Sequence, residues 1–204
     1  MITPELLLSY YSRKDIQKEL VENGADKEVA AKFNESFSKR PDVLRNDSDV
    51  LELAKNGATS FHASEELWKN PLQLDPNLKR MELDKIRIGW DLLIDIDCQI
   101  FEYSKIAADL IVKALKFHKI KSVTCKFSGN KGFHIGVPFQ AFPEKVGNDY
   151  TKTMFPEAPK KIALYLKSMV MDEFGKRILE FEQNDFNKII ANLQRLICFF
   201  PYYI

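Results

Sequence analysis

The sequence predicts an α+β fold in which helices flank a small mixed or antiparallel sheet. Two observations carry this prediction. The centre of the chain holds three short β-type runs, and an amphipathic pattern of helical period separates the first run from the other two. The runs are WDLLIDIDC (90–98), SVTCKF (122–127) and FHIGV (133–137). Helical patterns towards both ends of the chain complete the arrangement.

The elements before the sheet are mostly helical in pattern. Thr3-Pro4-Glu5 is a typical helix start and Gly24 a typical stop, so we expect one helix of about five turns, followed by a short one from Asp26. A further helix is expected from about Ser48 to Asn56. ATSFHAS (58–64) is a short strand candidate.

The central and C-terminal elements follow from hydrophobic period. Residues 102–118 predict an amphipathic helix between the first two strands. Strand alternation in FHIGV places Phe133, Ile135 and Val137 on one face, with His134 and Gly136 on the other. Helices are expected over 160–174 and from 177 onward. We therefore expect a single domain over 1–204, with a helical N-terminal segment (1–57), a motif-bearing sheet (58–142) and a helical C-terminal segment (159–204).

Composition and charge exclude few functions. Thirty Lys and Arg against 29 Asp and Glu give a net charge of +1, so nucleic-acid binding would have to come from a local patch. Cys98, Cys125 and Cys198 stand singly, which supports neither a zinc site nor a disulfide framework. No secretion signal and no run of 18 apolar residues is present, so a cytoplasmic protein without membrane segments is expected.

The first chemical signal is the pair Asp95 and Asp97 at the end of the first apolar run. Residues two apart in a strand project from one face, with Cα atoms about 7 Å apart, so both carboxylates can approach one divalent ion. Hard oxygen ligands favour Mg²⁺ or Mn²⁺ over Zn²⁺. Alternatively, the pair only ends a strand at the solvent edge.

The second signal is SGNKG, between the second and third β-type runs. Gly129 and Gly132 allow close approach of an anion, Ser128 offers a hydroxyl, Lys131 a positive charge and His134 a donor. This combination suits a triphosphate held by a strand-loop-strand hairpin, since no GxxxxGK[ST] motif is present. A plain hairpin turn followed by a structural histidine is the alternative.

Together, LLIDIDC and KFSGNKGFHIGV resemble the hhDhD strand and SGxxGxH hairpin of the archaeo-eukaryotic primase superfamily, and most of all archaeal DNA primase small, catalytic subunits. SYYSRKDIQKEL, KRPDVL, TSFHASEELWKNPLQL and RIGWDLLIDID also fit the N-terminal region of archaeal primase-like proteins, so the resemblance covers roughly residues 1–175. The two motifs in this order are specific, whereas either one alone is not.

The resemblance implies a primase-polymerase catalytic core and templated synthesis of RNA or DNA primers for DNA replication. Asp95 and Asp97 would hold Mg²⁺ or Mn²⁺, and Ser128, Gly129, Lys131 and His134 would bind the phosphates of the incoming nucleoside triphosphate. A DNA template and the primase large subunit are the implied partners. Three further basic groups could reach the template, or could simply lie at a solvated surface. They are Arg40, Arg45 and His62.

The sequence departs from this family in its C-terminal region. The superfamily has a third catalytic carboxylate on a later apolar strand, but the later aspartates here, Asp149, Asp172 and Asp185, follow no strand-like run. An active enzyme would need Asp185, Glu182 or a partner chain to supply that ligand, and the domain would be a truncated one. The alternatives are a non-catalytic subunit that binds nucleotide or a partner, and an unrelated Mg²⁺ phosphohydrolase.

The last residues, QRLICFFPYYI (194–204), are unusually apolar. A soluble monomer seldom exposes such a surface. We therefore expect this tail to pack into the protein's own sheet, into a second copy or into the large subunit.

Overall fold

The computed structural model describes residues 3–182, which divide into two compact units at Trp90. Both units combine helices with small antiparallel sheets, so the predicted α+β class is confirmed. No helix between residues 3 and 182 combines the length and hydropathy needed to span a bilayer. Asp185, Cys198 and the apolar tail lie outside the described residues.

The N-terminal unit contains four α-helices, a short 3-10 helix (Pro71–Gln73) and five strands among its described residues. In chain order they are α1 (Pro4–Tyr11), α2 (Lys14–Asn23), β1 (Val29–Phe33), β2 (Ser36–Phe37), α3 (Asp47–Lys55), β3 (Ser60–Ala63), β4 (Glu66–Trp68), α4 (Arg80–Ile86) and β5 (Arg87–Trp90). One sheet has the order β2-β1-β3, and β4 pairs with β5. Tyr11, Val29, Leu44 and Val50 form its buried centre.

Two helix predictions in this unit are wrong. The expected five-turn helix is broken at Ser12 and Arg13, because Arg13 has extended backbone angles and Ser12 Oγ donates a hydrogen bond back to the Leu8 carbonyl. The helix expected from Asp26 is the strand β1, so the N-terminal segment is not purely helical. Pairing with β3 buries Val29, Ala30 and Ala31, and this tertiary burial overrides the local helical preference of the two alanines.

The C-terminal unit is a three-stranded sheet packed on two long helices. Its elements are β6 (Leu92–Ile96), α5 (Phe101–Phe117), β7 (Thr124–Phe127), β8 (Phe133–Val137), β9 (Lys145–Val146), β10 (Asp149–Tyr150) and α6 (Glu157–Phe181). The sheet order is β6-β8-β7, antiparallel throughout, and β9 pairs with β10. The two helices predicted over 160–174 and from 177 are one helix, which continues through Gly175.

One face of this sheet is buried and the other is open. Ile94, Ile96, Ile135 and Val137 are at most 1% exposed and project towards α5 and α6, which contact β6 and β8. The two faces predicted from the alternation in FHIGV are therefore confirmed, since His134 and Gly136 lie on the face opposite to Ile135 and Val137. The open face is therefore the accessible one, because the helices cover the other.

Candidate functional site

Asp95 and His134 lie directly opposite each other on β6 and β8. Opposed residues of an antiparallel pair project from the same face, and His134 Nε2 is 3.5 Å from Asp95 Oδ1. The side chains of His134 and Asp95 are 30% and 22% exposed, so both remain accessible from solvent. The histidine of the hairpin and the first carboxylate of the apolar strand therefore face one another on the open side of the sheet.

Lys126 extends this row and was missed in the sequence. It pairs with His134 across β7 and β8, so Asp95, His134 and Lys126 form one line across all three strands. Lys126 is exposed, and the described residues give it no ion-pair partner. The signal was present in the alternation of SVTCKF, because placing Cys125 and Phe127 on the core face puts Lys126 on the other.

The loop between β7 and β8 packs directly on the backbone that carries Asp97. A Cβ atom on Gly132 would lie 2.2 Å from the Ile96 carbonyl oxygen and 3.3 Å from the Asp97 Cα. Only glycine fits at this approach. Asp97 is exposed, and its carboxylate makes no hydrogen bond or ion pair within residues 3–182. The structure therefore places the loop against the backbone at Asp97.

The loop is closed by two hydrogen bonds between its ends. The Ser128 N–H donates to the Gly132 carbonyl at 2.9 Å, and the Gly132 N–H donates to Ser128 Oγ at 3.2 Å. The Ser128 hydroxyl keeps its own proton for donation. Gly129 adopts φ +97°, a left-handed conformation that favours glycine.

The backbone amides at the tip of this loop lie outside the strand ladder. Among residues 3–182, the amides of Gly129, Asn130 and Lys131 donate to no protein acceptor. Backbone amides without a protein acceptor, close to a lysine, are available to donate to an anion. The predicted phosphate-binding residues Ser128, Gly129 and Lys131 thus lie together in the loop that packs at Asp97. His134 lies on β8, beyond Phe133, where it pairs with Asp95.

An aromatic cluster supports the loop from the helix side. Phe101, at the first position of α5, stacks on Phe133 with ring centroids 5.7 Å apart and meets Phe127 edge-on at 5.7 Å. Phe127 and Phe133 also contact each other at 5.8 Å. The cluster holds both strand ends that flank the loop, and each aromatic pair contributes about 0.5–1.5 kcal/mol beyond area burial.

The donor set of this site fits a hard divalent cation only incompletely. Mg²⁺ is commonly held by one or two carboxylates together with waters and substrate phosphates, and Asp95 and Asp97 could supply that number. However, residues 3–182 contain no group of three or more Asp, Glu, His or Cys side chains arranged to hold a metal. A third protein ligand is therefore missing from the described residues.

Glu182 and Asp185 were the residues expected to supply a third metal ligand. Glu182 accepts a hydrogen bond from the Tyr103 hydroxyl at 2.9 Å. Tyr103 is a buried residue of α5, so Glu182 is held on the helix-covered side of the sheet and away from the open face. Asp185 lies outside the described residues.

Of the three basic groups singled out in the N-terminal unit, Arg40 and His62 make local side-chain contacts. Arg40 binds Glu28 through two hydrogen bonds of 2.7 and 2.6 Å. His62 Nε2 lies 2.9 Å from the Ser60 hydroxyl, and its ring meets Phe37 edge-on. Arg45 is exposed, and its backbone N–H donates to Asp49.

Comparison of sequences gives no match, either to a protein-family model or to a curated protein. Solved structures do match. One is the polymerase domain from Mycobacterium tuberculosis ligase D in complex with DNA, with TM-score 0.56 and 13% sequence identity over 83% of this chain. The chain spans 64% of the length of that structure. At this identity the likeness concerns the fold alone, and the chain therefore shares the fold of that polymerase domain.

Proposed function

We propose that this protein is a nucleotidyltransferase of the DNA primase small-subunit type, which extends RNA or DNA primers on a DNA template. The observation that carries the proposal is the meeting of Asp95, Asp97, His134 and the glycine loop at one end of an open sheet face. The fold supports it, because the ligase D polymerase domain that it resembles was solved with DNA.

Each side chain of the site has a distinct task in this proposal. The loop amides, Lys131 and the Ser128 hydroxyl bind the terminal phosphates of a nucleoside triphosphate. His134 donates to a phosphate oxygen from the same face, and its contact with Asp95 orients the imidazole for that donation. Donors fixed in this way stabilise the negative charge that develops during phosphoryl transfer.

Asp95 and Asp97 would hold Mg²⁺ or Mn²⁺ between the open face and the loop. When bound, such an ion lowers the pKa of an attacking hydroxyl and neutralises phosphate charge. The two carboxylates also repel a triphosphate in the absence of a cation, so they make nucleotide binding depend on the ion.

The second candidate function is a non-catalytic subunit that binds nucleotide or a protein partner. The specific observation in its favour is that residues 3–182 supply no third carboxylate beside Asp95 and Asp97. In that case the loop and His134 would still bind a triphosphate, and transfer would not occur.

The partners of either form are a DNA template, nucleoside triphosphates, and a primase large subunit or a second copy of this chain. The apolar residues 194–204 are the segment that we propose for the protein contact, in a cytoplasmic setting. Light scattering over a range of concentrations, with wild type and a Phe199→Asp, Phe200→Asp variant, tests this contact directly. A wild type that stays monomeric together with a variant of unchanged stability would contradict the contact with a second copy.

Template-dependent incorporation of labelled nucleotides, with Mg²⁺ or Mn²⁺ and with or without added large subunit, tests the main proposal. We expect incorporation by the wild type and none by Asp95→Asn or Asp97→Asn. Asp172→Asn removes an exposed carboxylate of α6 and is the matched control, which should retain activity. Nucleotide binding without incorporation under every condition would favour the second candidate.

A further inference from the structure

One long segment of the chain contains no acidic residue. Residues 110–143 hold six lysines and neither Asp nor Glu, in a protein whose net charge is only +1. This segment alone therefore carries +6, and the remaining residues sum to −5. Positive charge is concentrated here although the whole chain is nearly neutral.

Five of these lysines are exposed along one border of the C-terminal unit. We call them the lysine edge; they are Lys116, Lys119, Lys121, Lys126 and Lys131. None of the five forms an ion pair within the described residues, whereas the sixth, Lys113, binds Asp109 at 2.7 Å. Unpaired cations without acids between them give a continuous positive potential.

The backbone beneath the lysine edge is an uncovered sheet border. β7 is the outermost strand of its sheet, and all four of its residues are exposed. Lys121 and Lys126 are five residues apart, a span of at most about 17 Å in extended backbone. The edge runs from the C-terminus of α5 to the loop that holds Lys131.

One well-exposed aromatic side chain accompanies the lysines. Phe117, the last residue of α5, is 73% exposed, whereas Phe127 belongs to the aromatic cluster on the helix side of the sheet. Phe117 is held by an edge-on contact with the His118 ring, whose Nε2 in turn lies 3.2 Å from the Tyr165 hydroxyl. A group of lysines beside an exposed aromatic ring suits single-stranded nucleic acid, because a base can stack on the ring while the lysines bind phosphates.

Lys119 occupies a position where glycine would be more stable. It has φ +63° just beyond the C-terminus of α5, the left-handed position that usually carries glycine. A non-glycine residue there costs conformational energy, and such strain is common at functional positions. Lys119 therefore carries its charge at a strained backbone position.

From these observations we infer that the lysine edge is a binding site for the backbone of single-stranded DNA or RNA, which it leads along β7 to the phosphate-binding loop. This binding site extends the proposed function. Only the direction in which the nucleic-acid strand runs towards the loop rests on that proposed function. The binding itself needs neither metal nor nucleotide, so it can be tested independently of catalysis.

The test is the anisotropy of a fluorescein-labelled dT strand of about 12 nucleotides, titrated with protein in EDTA at about 50 to 200 mM salt. Lys116→Gln, Lys119→Gln and Lys121→Gln are combined in one variant, which leaves the loop and the carboxylates intact. We expect the variant to bind about tenfold more weakly at the lowest salt, and the slope of log K against log salt to fall by about 2, as expected for three lost phosphate contacts.

The matched control combines Lys39→Gln, Lys55→Gln and Lys69→Gln, three exposed lysines of the N-terminal unit, with the same loss of charge. It should bind the strand as the wild type does. An equal loss in both variants would show an effect of net charge alone and overturn the proposal. Unchanged affinity in the lysine-edge variant would also overturn it.

A second variant separates binding from folding. Lys119→Gly relieves the left-handed strain, so its melting temperature should equal or exceed that of the wild type while its affinity for the strand decreases. A Lys119→Gly variant that is equally stable and binds equally well would contradict the role of this lysine and of the edge.

Two further measurements identify the occupant and separate the two proposals. Vesicles of phosphatidylserine and phosphatidylcholine should not bind; binding of vesicles but not of the dT strand through these lysines would overturn the nucleic-acid assignment. The Asp95→Asn, Asp97→Asn variant should bind the strand at least as tightly as the wild type. Absent transfer with intact, lysine-dependent strand binding would refute only the proposed function.

Discussion

Gly132 and Ile96 are so close that a Cβ atom on residue 132 would lie 2.2 Å from the Ile96 carbonyl oxygen. This contact holds the loop that follows β7 against the strand that carries Asp95 and Asp97. Because the obstructing atom belongs to backbone, no side-chain rotation can relieve a clash there. The geometry of the site therefore depends on the absence of a side chain at residue 132.

Gly132→Ala should separate the loop from β6 and reduce the free energy of unfolding by about 1–3 kcal/mol, the usual cost of overpacking. Urea denaturation measures this loss. Gly175→Ala is the matched control, since a Cβ atom there meets nothing within 4 Å and the position lies inside α6. The control should gain about 0.5–1 kcal/mol. Equal stability of Gly132→Ala and wild type would contradict the close approach.

His134→Ala should weaken the binding of a nucleoside triphosphate by about 1.5–3 kcal/mol, the worth of a hydrogen bond to a charged group. Stability should change little, because the side chain lies on the open face. Calorimetric titration with nucleotide and Mn²⁺, alongside thermal denaturation, measures both quantities. His118→Ala, which alters an exposed histidine at the other end of α5, should leave nucleotide affinity unchanged. A large loss of stability with intact affinity would make His134 a structural residue.

Asp95→Asn combined with Asp97→Asn should abolish the stabilisation of the protein by Mn²⁺. In the wild type, an ion at about 100 times its dissociation constant would raise the free energy of unfolding by about 2.7 kcal/mol through mass action. In EDTA, the variant should be as stable as the wild type or more so, because two neighbouring carboxylates repel each other without a cation. Equal stabilisation of both proteins by Mn²⁺ would place the ion elsewhere.

The sequence allowed the sheet that carries the site to be predicted because its signals are local. Alternation in WDLLIDIDC and FHIGV, with a short glycine loop before the latter, determines which residues share a face once the strands pair. The position of His134 on the same face as Asp95 follows from that alternation. The packing of Gly132 on Ile96 does not, since it depends on how tightly two strands approach.

The N-terminal elements were harder to predict because tertiary contacts decide them. Val29, Ala30 and Ala31 could enter a helix by propensity, yet pairing with β3 makes them a strand. Asp26, with φ +59°, and Asn34, with φ +51°, form the turns that bound it. Single-sequence periodicity over such a short run cannot separate these outcomes.

Arg87→Met should destabilise the N-terminal unit by about 3–5 kcal/mol, the cost of removing one member of a buried ionic cluster. Arg87 is 3% exposed, donates to Glu66 and Asp84, and lies over the Trp68 ring at 5.1 Å. Burial raises the pKa of Glu66 even though Arg87 opposes the shift. Glu66→Gln should therefore lower the free energy of unfolding much less than Arg87→Met does. Urea denaturation at neutral pH measures both losses. Equal costs would contradict the dominance of burial at Glu66.

Asp109→Asn should weaken the packing of α5 on α6 in a pH-dependent way. Asp109 accepts hydrogen bonds of 2.7 Å from Lys113 and from Arg177 of α6, and these cations, Lys113 first, lower the pKa of its carboxyl below the ordinary value of 3.8. A carboxyl whose pKa is lower in the folded state stabilises the protein above the unfolded pKa, and this stability disappears as the pH falls through the folded value. Because Asp109 is 44% exposed, we expect the variant to lose at most about 1 kcal/mol at pH 7.

The measurement is the difference in free energy of unfolding between wild type and Asp109→Asn, obtained in urea from about pH 7 down to about pH 2. We expect the difference to be constant above about pH 5 and to shrink below about pH 4, where protonation removes the charge that the variant lacks. Asp172→Asn, on the exposed side of α6 and without an ion-pair partner among residues 3–182, should match the wild type at neutral pH. A difference for Asp109→Asn that persists unchanged to the lowest pH would show that the hydrogen bonds, and not the charge, connect the two helices.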